Sequence, residues 1–233
     1  MEGHKNLENL WVLKDCKPST RSLFLQAGQQ IEHPKGRQFI RAREKNPSIF
    51  FIMEGKVQIY NLTKCGKKKI LFILGKDNIA NESLVGDYNT IFCETIEKCI
   101  FFVIKRVQLL ALMKDDFALT KNLFQYQERK LWRLGHQLKN TVGSIYLERK
   151  LASKLWKLAR DFGVSEERGI LIDMDLSVTF LADLLGVPRE TASRACRRLA
   201  DSGLILMEKK KIWIPDAERM SRFYKTGNPE DPD

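Results

Sequence analysis

Between Val107 and about Phe162 the chain contains no proline and is written largely in Leu, Lys, Arg, Gln and Glu. That composition favours long helix, because proline breaks the hydrogen-bond ladder and unbranched side chains lose little rotamer freedom. Within the stretch Phe124, Leu131, Leu138 and Ile145 recur every seven residues, with Gln127, Leu134 and Thr141 in a second row. A heptad seam of about three turns of the repeat is buried most economically against a second copy of the same helix. Packing on its own domain is the alternative. The polar Gln127 and Thr141 either fix register or face something bound between subunits.

On either side of this helix the character of the sequence differs. Residues from about 20 to 106 read as short strands, "GRQFIRA", "SIFFIMEGKVQIYNL", "KKKILFIL" and "IFCETIEKCIFFVIK", separated by turn signals such as Gly55 and "TKCGKKK". Regular spacing of this kind predicts a small barrel or sandwich. After a boundary near Ser144 to Glu148, "YLERKLASKLWKLARDFG" predicts a helix ending at Gly163, and "GILIDMDL" a strand. Ser177 is a good N-cap for a helix carrying Leu181, Leu184 and Leu185, stopped at Gly186. Pro188 suits the first turn of the next helix, and "GLILMEKKKIWIPD" reads as a hairpin with Glu208 to Lys211 at its tip. Helix, short turn, helix and basic hairpin make a winged helix-turn-helix. The expected class is α+β, with a cupin-like β-barrel sensor domain over 1–115, a dimerisation helix over 116–146 and a winged helix-turn-helix over 147–233.

The segment "LGVPRETASRACRRLADSGLI", residues 185 to 205, carries the chemistry. At about 100° per residue, Arg189, Ser193 and Arg197 share a sector with Glu190 and Arg194 beside it, while Ala192, Ala195, Cys196 and Leu199 fall opposite. A small apolar face docks on a scaffold and the charged face points outward. In a helix-turn-helix the second helix enters the major groove. There arginine matches guanine O6 and N7 with two hydrogen bonds and glutamate accepts from cytosine N4. Arg189, Glu190 and Arg194 are therefore the candidate base-reading residues. Ser193, Arg197, Arg198 and the wing residues Lys209, Lys210 and Lys211 are candidates for the DNA backbone, which positions the protein without specifying sequence. The plainer alternative is a solvated helix face.

Composition narrows the rest. The 233 residues, 43% hydrophobic, supply enough apolar surface for real cores. The net charge of +11 favours an anionic partner only mildly, because residues 1–146 hold 24 Lys and Arg against 14 Asp and Glu, whereas 147–233 are nearly balanced at 16 against 15. No run of about 18 apolar residues and no signal-peptide pattern occurs, so a cytoplasmic protein without membrane contact is expected. Cys16, Cys65, Cys93, Cys99 and Cys196 form no CxxC pair, which argues for reduced structural thiols and no metal site. Cys93 and Cys99 lie six apart in one apolar run and would share a strand face, which leaves a redox role open. His4, His33 and His136 are scattered and read as ordinary histidines. No phosphate loop, nucleophile elbow or HExxH appears, and no nucleophile and base pair emerges, so an enzyme is not expected.

These residues also carry a resemblance. "LSVTFLADLLGVPRETASRACRRLADSGLI" resembles the DNA-binding motif of the family containing the cyclic-AMP receptor protein and the fumarate-nitrate regulator. "SIFFIMEGKVQIY" is similar to its early barrel strands, Gly75 to Ser83 to its "GD-x-x-GE" segment, and "YLERKLASKLWKLARDFG" to the start of its DNA-binding domain. The resemblance implies a bacterial transcription regulator, homodimeric on a palindromic operator, with double-stranded DNA and RNA polymerase as partners and a small-molecule effector in the barrel. Its "RE-x-x-x-R" element reads half-sites resembling TGTGA, and Arg189, Glu190 and Arg194 fit it one by one.

The sensor departs from the family's cyclic-nucleotide pattern. That pattern uses a glycine–glutamate pair for the ribose and an arginine about nine residues later for the cyclic phosphate. Here Glu82 survives, Asn81 replaces the glycine, and Ile91 stands where the arginine would fall. A buried phosphate without an arginine is expensive, so cyclic AMP is disfavoured as ligand. The N-terminal cysteine cluster that would imply an iron–sulfur centre, and the cysteine or histidine near Asn81 to Ser83 that would imply haem, are both missing, and no cofactor is expected. "NTIFCETIEKCIFFVIK" resembles the halogenated-phenol sensors within the family, which implies an aromatic or weakly acidic effector. Glu82, Thr90, Ile91, Phe92, Gln127, Leu131 and Leu134 are the candidate lining, with simple barrel core as the alternative. A ligand- or redox-responsive module acting through protein partners is the rival to a DNA-binding regulator. The base-reading trio Arg189, Glu190 and Arg194 favours DNA, since a protein-docking wing has no need of it.

Overall fold

The computed structural model describes residues 10–139 and 146–230, with side chains throughout except at 136–139. The chain divides into two compact units, Met1–Gly135 and His136–Asp233.

In the first unit a single 3-10 turn (Trp11–Leu13) and helix α1 (Pro18–Ala27) precede seven antiparallel strands: β1 (Gly28–His33), β2 (Gln38–Ile40), β3 (Ser48–Glu54), β4 (Val57–Leu62), β5 (Lys68–Leu74), β6 (Phe92–Thr95) and β7 (Cys99–Lys105). They form two sheets, ordered β1-β7-β3 and β2-β6-β4-β5. Alternation along β3 and β7 explains the double layer of core. Phe50, Ile52, Phe101 and Val103 join Val57, Ile59, Ile91 and Cys93 in one cluster. Ile49, Phe51, Phe102 and Ile104 belong to a second cluster with Phe24 and with Leu119, Leu123 and Tyr126 of the helices that follow β7. Gly55, at φ 82, makes the β3–β4 turn where a side chain would collide with the Lys98 carbonyl.

The long helical stretch is divided. Helix α2 (Arg106–Asp115) stops at Asp116, and α3 (Phe117–Lys139) begins there. Asp116 is the cause, since its carboxylate accepts from Lys17 N at 2.8 Å and caps Ala118 N at 2.9 Å. Two further expectations are corrected. The strand pattern does not begin at residue 20, because Pro18 opens a helix there. Cys93 and Cys99 do not share a strand face, because the run is cut into β6 and β7, which belong to different sheets.

The second unit opens with α4 (Leu147–Phe162), then β8 (Gly163–Glu166) and β9 (Gly169–Ile172), α5 (Val178–Leu185), α6 (Arg189–Asp201), β10 (Leu206–Glu208), β11 (Lys211–Ile214) and α7 (Ala217–Thr226). The sheet is ordered β10-β11-β9-β8, so the hairpin after α6 pairs back onto the strand before α5. Strand β8 and helix α7 were not anticipated from the sequence. Among the described residues no helix is long and apolar enough to cross a membrane.

Candidate functional site

The two helices α5 and α6 are joined as their residues dictate. Ser177 Oγ accepts from Phe180 N at 3.1 Å and caps α5. Gly186 ends it in the left-handed region at φ 73, its N–H on Ala182 O at 2.7 Å. Pro188 stands at the N-cap of α6 without a side-chain cap. Ala192, Ala195, Cys196 and Leu199 are buried against the scaffold, and their small size lets α6 lie close to it.

The opposite face holds the predicted reading group. Arg189, Glu190 and Arg194 are exposed, as are Arg197 and Arg198, and Ser193 is half-buried. The guanidinium of Arg194 lies 3.4 Å from Thr191 Oγ1, which steadies it on its own helix. Arg198 is placed differently from its neighbours. Its Nη1 donates to Glu148 Oε1 at 2.7 Å, and Glu148 is only 16% exposed, so this arginine bridges α6 to the first turn of α4.

The wing hairpin presents Lys209 and Lys210 at its tip, both exposed. Lys209 adopts φ 56, a left-handed turn conformation uncommon for a residue with a side chain. Leu176 N donates to Lys210 O at 2.7 Å, tying the tip to the residue before the α5 cap. Lys211 Nζ lies 3.7 Å from Asp175. Arg168, absent from the sequence-based set, covers Trp213 with its guanidinium 5.7 Å from the ring and meets Glu208 at 3.0 Å. No local motif marks it, because the partners are 40 and 45 residues away in the chain.

In the sensor unit the predicted pocket residues separate into three groups. Glu82 and Thr90 come together, Thr90 donating from N at 2.9 Å and from Oγ1 at 2.6 Å to the two carboxylate oxygens. Ile91 is buried in the inter-sheet core, and Phe92 stacks on Tyr60 with ring centroids 5.2 Å apart. Gln127 is half-buried on α3, whereas Leu131 and Leu134 are 71% and 41% exposed. Asn81, at the family's glycine position, is a structural residue: its Oδ1 accepts from Phe50 N and its Nδ2 donates to Ser48 O, both at 2.8 Å.

Two residues of α3 that the sequence did not single out for the pocket reach inward. Tyr126 places its hydroxyl 2.9 Å from Ile79 N and 3.2 Å from Ile79 O, accepting from the first and donating to the second. One turn on, Lys130 Nζ donates to Asn81 O at 2.7 Å. Burial pulls the Lys130 ammonium down to about 8, against the opposing pull of Cys93 and Glu82. Beside them a cleft of about 240 Å³ is lined by Phe72, Leu74, Asp77, Asn78, Tyr126, Arg129, Lys130 and Arg133. The seam residues Phe124, Leu131 and Leu134 project to solvent from the same helix. Leu138 and Ile145 of the seam, with Thr141, lie outside the described residues or side chains.

Cys93 and Cys99 are both fully buried. Full burial pushes Cys93 well above its ordinary value, and burial raises Cys99 to about 11, so both stay protonated near neutrality. His33 packs against Phe39 and Phe101, and burial lowers its imidazole below the ordinary value. Among the described residues no three His, Cys, Asp or Glu side chains gather as metal ligands would.

Comparison with known proteins agrees with this geometry in both halves. Residues 30–116 match the model of the cyclic nucleotide-binding domain and 149–223 that of the Crp-like helix-turn-helix domain. A CRP-like cAMP-activated global transcriptional regulator of Mycobacterium tuberculosis is 25% identical over 91% of this chain and 95% of its own length. The global nitrogen regulator of Synechocystis is 23% identical over 87% and 94%. Among solved structures, FixK2 from Bradyrhizobium japonicum superposes with a TM-score of 0.72 at 20% identity, covering 84% of this chain and 96% of its own. With a cyclic nucleotide-binding β-sandwich, a Crp-like helix-turn-helix and relatives across nearly its whole length, the chain belongs to the CRP/FNR family of transcription regulators.

Proposed function

We propose that the chain acts as a homodimer in the cytoplasm, reading a palindromic operator with one α6 helix from each subunit in successive major grooves. The observation that carries this reading is the division of α6 into a buried Ala192, Ala195, Cys196, Leu199 face and an exposed Arg189, Glu190, Arg194 face. Arg189, Glu190 and Arg194 would read bases, and Ser193, Arg197, Lys209 and Lys210 would meet phosphates. Arg198 and Lys211 already have carboxylate partners, so we assign them first to holding the reading head together. The exposed Phe124, Leu131 and Leu134 are the part of the seam that a second copy would cover, and RNA polymerase is the further partner of a regulator of this class.

The effector is proposed to be a small molecule other than a cyclic nucleotide. Support comes from Ile91, an apolar core residue where the phosphate-binding arginine would stand. Neither haem nor an iron–sulfur cluster is proposed. A fluorescence-anisotropy titration of a TGTGA-type palindrome and a scrambled duplex at two salt concentrations tests the DNA reading. Selective binding, weakening with salt, is expected. Equal affinity for both duplexes, persisting after selection from random sequence, overturns it.

A further inference from the structure

The wing tip carries an acid among its lysines. Glu208 closes β10 directly before Lys209 and Lys210, and in the hairpin it stands opposite Lys211. A carboxylate left beside exposed lysines draws their ammonium groups to itself and repels any phosphate brought to them. Glu208 is not left so. Arg168 Nη1 donates to its Oε2 at 3.0 Å, from a residue 40 positions earlier in the chain.

Arg168 is itself held in place. It lies in the turn between β8 and β9, and β9 pairs with β11 at Ile170–Ile214 and Leu171–Trp213. Its guanidinium covers the Trp213 ring at 5.7 Å, and the indole N–H of Trp213 donates to Glu166 Oε2 at 2.7 Å. With Trp213 only 8% exposed, the ring is a fixed platform, and a planar guanidinium laid on it is already oriented for a carboxylate. The side chain spans β11, from the β8–β9 turn to the last residue of β10. Since Arg168 and Glu208 are 60% and 63% exposed, their pair adds little to stability. What it changes is the charge beside the lysines.

We propose that Arg168 is a positioning residue for DNA binding: it takes the Glu208 carboxylate out of the wing tip, so that Lys209 and Lys210 meet phosphates with no acid competing beside them. The inference rests on the DNA-binding reading above and deepens it. The β8–β9 turn, with Glu166 and Trp213 as its support, thereby becomes part of the apparatus that binds the backbone, although Arg168 itself touches no phosphate.

Full-length protein is titrated by fluorescence anisotropy with the TGTGA-type palindrome and with the scrambled duplex. Arg168→Met keeps cover over Trp213 and removes the charge; it is expected to lose about two- to fivefold in affinity for both duplexes alike. The loss should narrow as salt rises, and Arg168→Lys should show little of it. Adding Glu208→Gln to Arg168→Met is expected to return affinity to within about twofold of the wild type, because no carboxylate is then left to compete. A loss that persists in the double variant overturns the proposal, whether Arg168 meets a phosphate itself or its removal deforms the wing. Wild-type affinity in Arg168→Met overturns it too, as does Glu208→Gln alone gaining as much as Arg168→Met loses, since the acid was then never masked. A wild type without preference for the palindrome, whose Arg168→Met loss is still reversed by Glu208→Gln, removes the base-reading assignment and leaves Arg168 in its role. A selective wild type matched by every variant does the opposite.

Discussion

Arg198 on the recognition helix and Glu148 in the first turn of α4 are joined at 2.7 Å. The next residue, Arg149, donates to the carbonyls of Tyr224 and Lys225 at the end of α7. Two consecutive residues at the entrance of the second unit thus hold its recognition helix and its last helix. A partly exposed ion pair contributes about 0.5–1 kcal/mol, so Glu148→Gln and Arg198→Gln are each expected to weaken operator binding about two- to fivefold. The double substitution should cost no more than either single one, and the salt slope should stay at its wild-type value. A slope reduced by about one in Arg198→Gln alone would instead make Arg198 a phosphate contact.

Arg194→Ala should reduce specific affinity by about 1–3 kcal/mol while leaving binding to random duplex nearly intact. Lys210→Ala, at the wing tip, should weaken both and lower the salt slope by about one. Competition titrations with operator and scrambled DNA across a salt series measure all of these. Equal losses on the two duplexes for Arg194→Ala would remove it from the base-reading group.

The Lys130 ammonium sits near 8 in the folded chain and at 10.5 when unperturbed. Between those values the unfolded chain binds the extra proton, so stability of the first unit rises with pH across that window. Below about 8 the penalty is fully present. Around Lys130 lie Cys93 from β6, Glu82, and Tyr126, Arg129 and Arg133 from α3 itself. Lys130→Met is therefore expected to be more stable than the wild type at neutral pH, on the order of 1 kcal/mol, with the gap closing as pH rises. Urea unfolding at a series of pH values checks it, and a gap that widens with pH contradicts it.

Ser177→Ala removes the cap on α5 and should cost about 1 kcal/mol of stability in the second unit. Gly186→Ala imposes a side chain at φ 73 and should cost a similar amount. Thermal unfolding of both variants is the measurement, with DNA affinity falling only as the folded fraction falls.

Leu131→Asp places a carboxylate in the exposed seam of α3, and sedimentation should show the dimer replaced by monomer. Operator binding should weaken steeply with it, since a palindrome gains its affinity from two linked reading heads. An unchanged dimer would shift the interface to another surface.

The reading head was legible because its signals are local. Ser177, Gly186, Pro188 and the small residues of α6 determine one turn geometry and one buried face within 25 residues. The seven-residue row of Phe124 and Leu131 is equally local, and both residues are exposed on α3. The inward contacts of α3 were not legible, because the helix carries two stripes. Leu119, Leu123, Tyr126 and Lys130 run along its inner face at steps of four, three and four, and Phe117, Phe124 and Leu131 along its outer one. Leu131 and Leu134 suited an apolar lining by residue type, yet the inner positions had gone to a tyrosine and a lysine whose polar tips find backbone partners far along the chain. The Arg198 pair was hidden likewise, since its partner lies 50 residues away. The helix at Pro18 was misread because apolar residues there suit either period, and the break between β6 and β7 because Glu97 and Lys98 were too few to interrupt the apolar pattern.

The hydrogen bonds by which Tyr126 and Lys130 hold the sensor end on main-chain atoms, at Ile79 and Asn81. A peptide group offers the same donor and acceptor whatever residue it belongs to. These bonds therefore ask nothing of the side chains at 79 and 81, which serve the sensor instead: Ile79 fills its core, and Asn81 ties Phe50 N and Ser48 O.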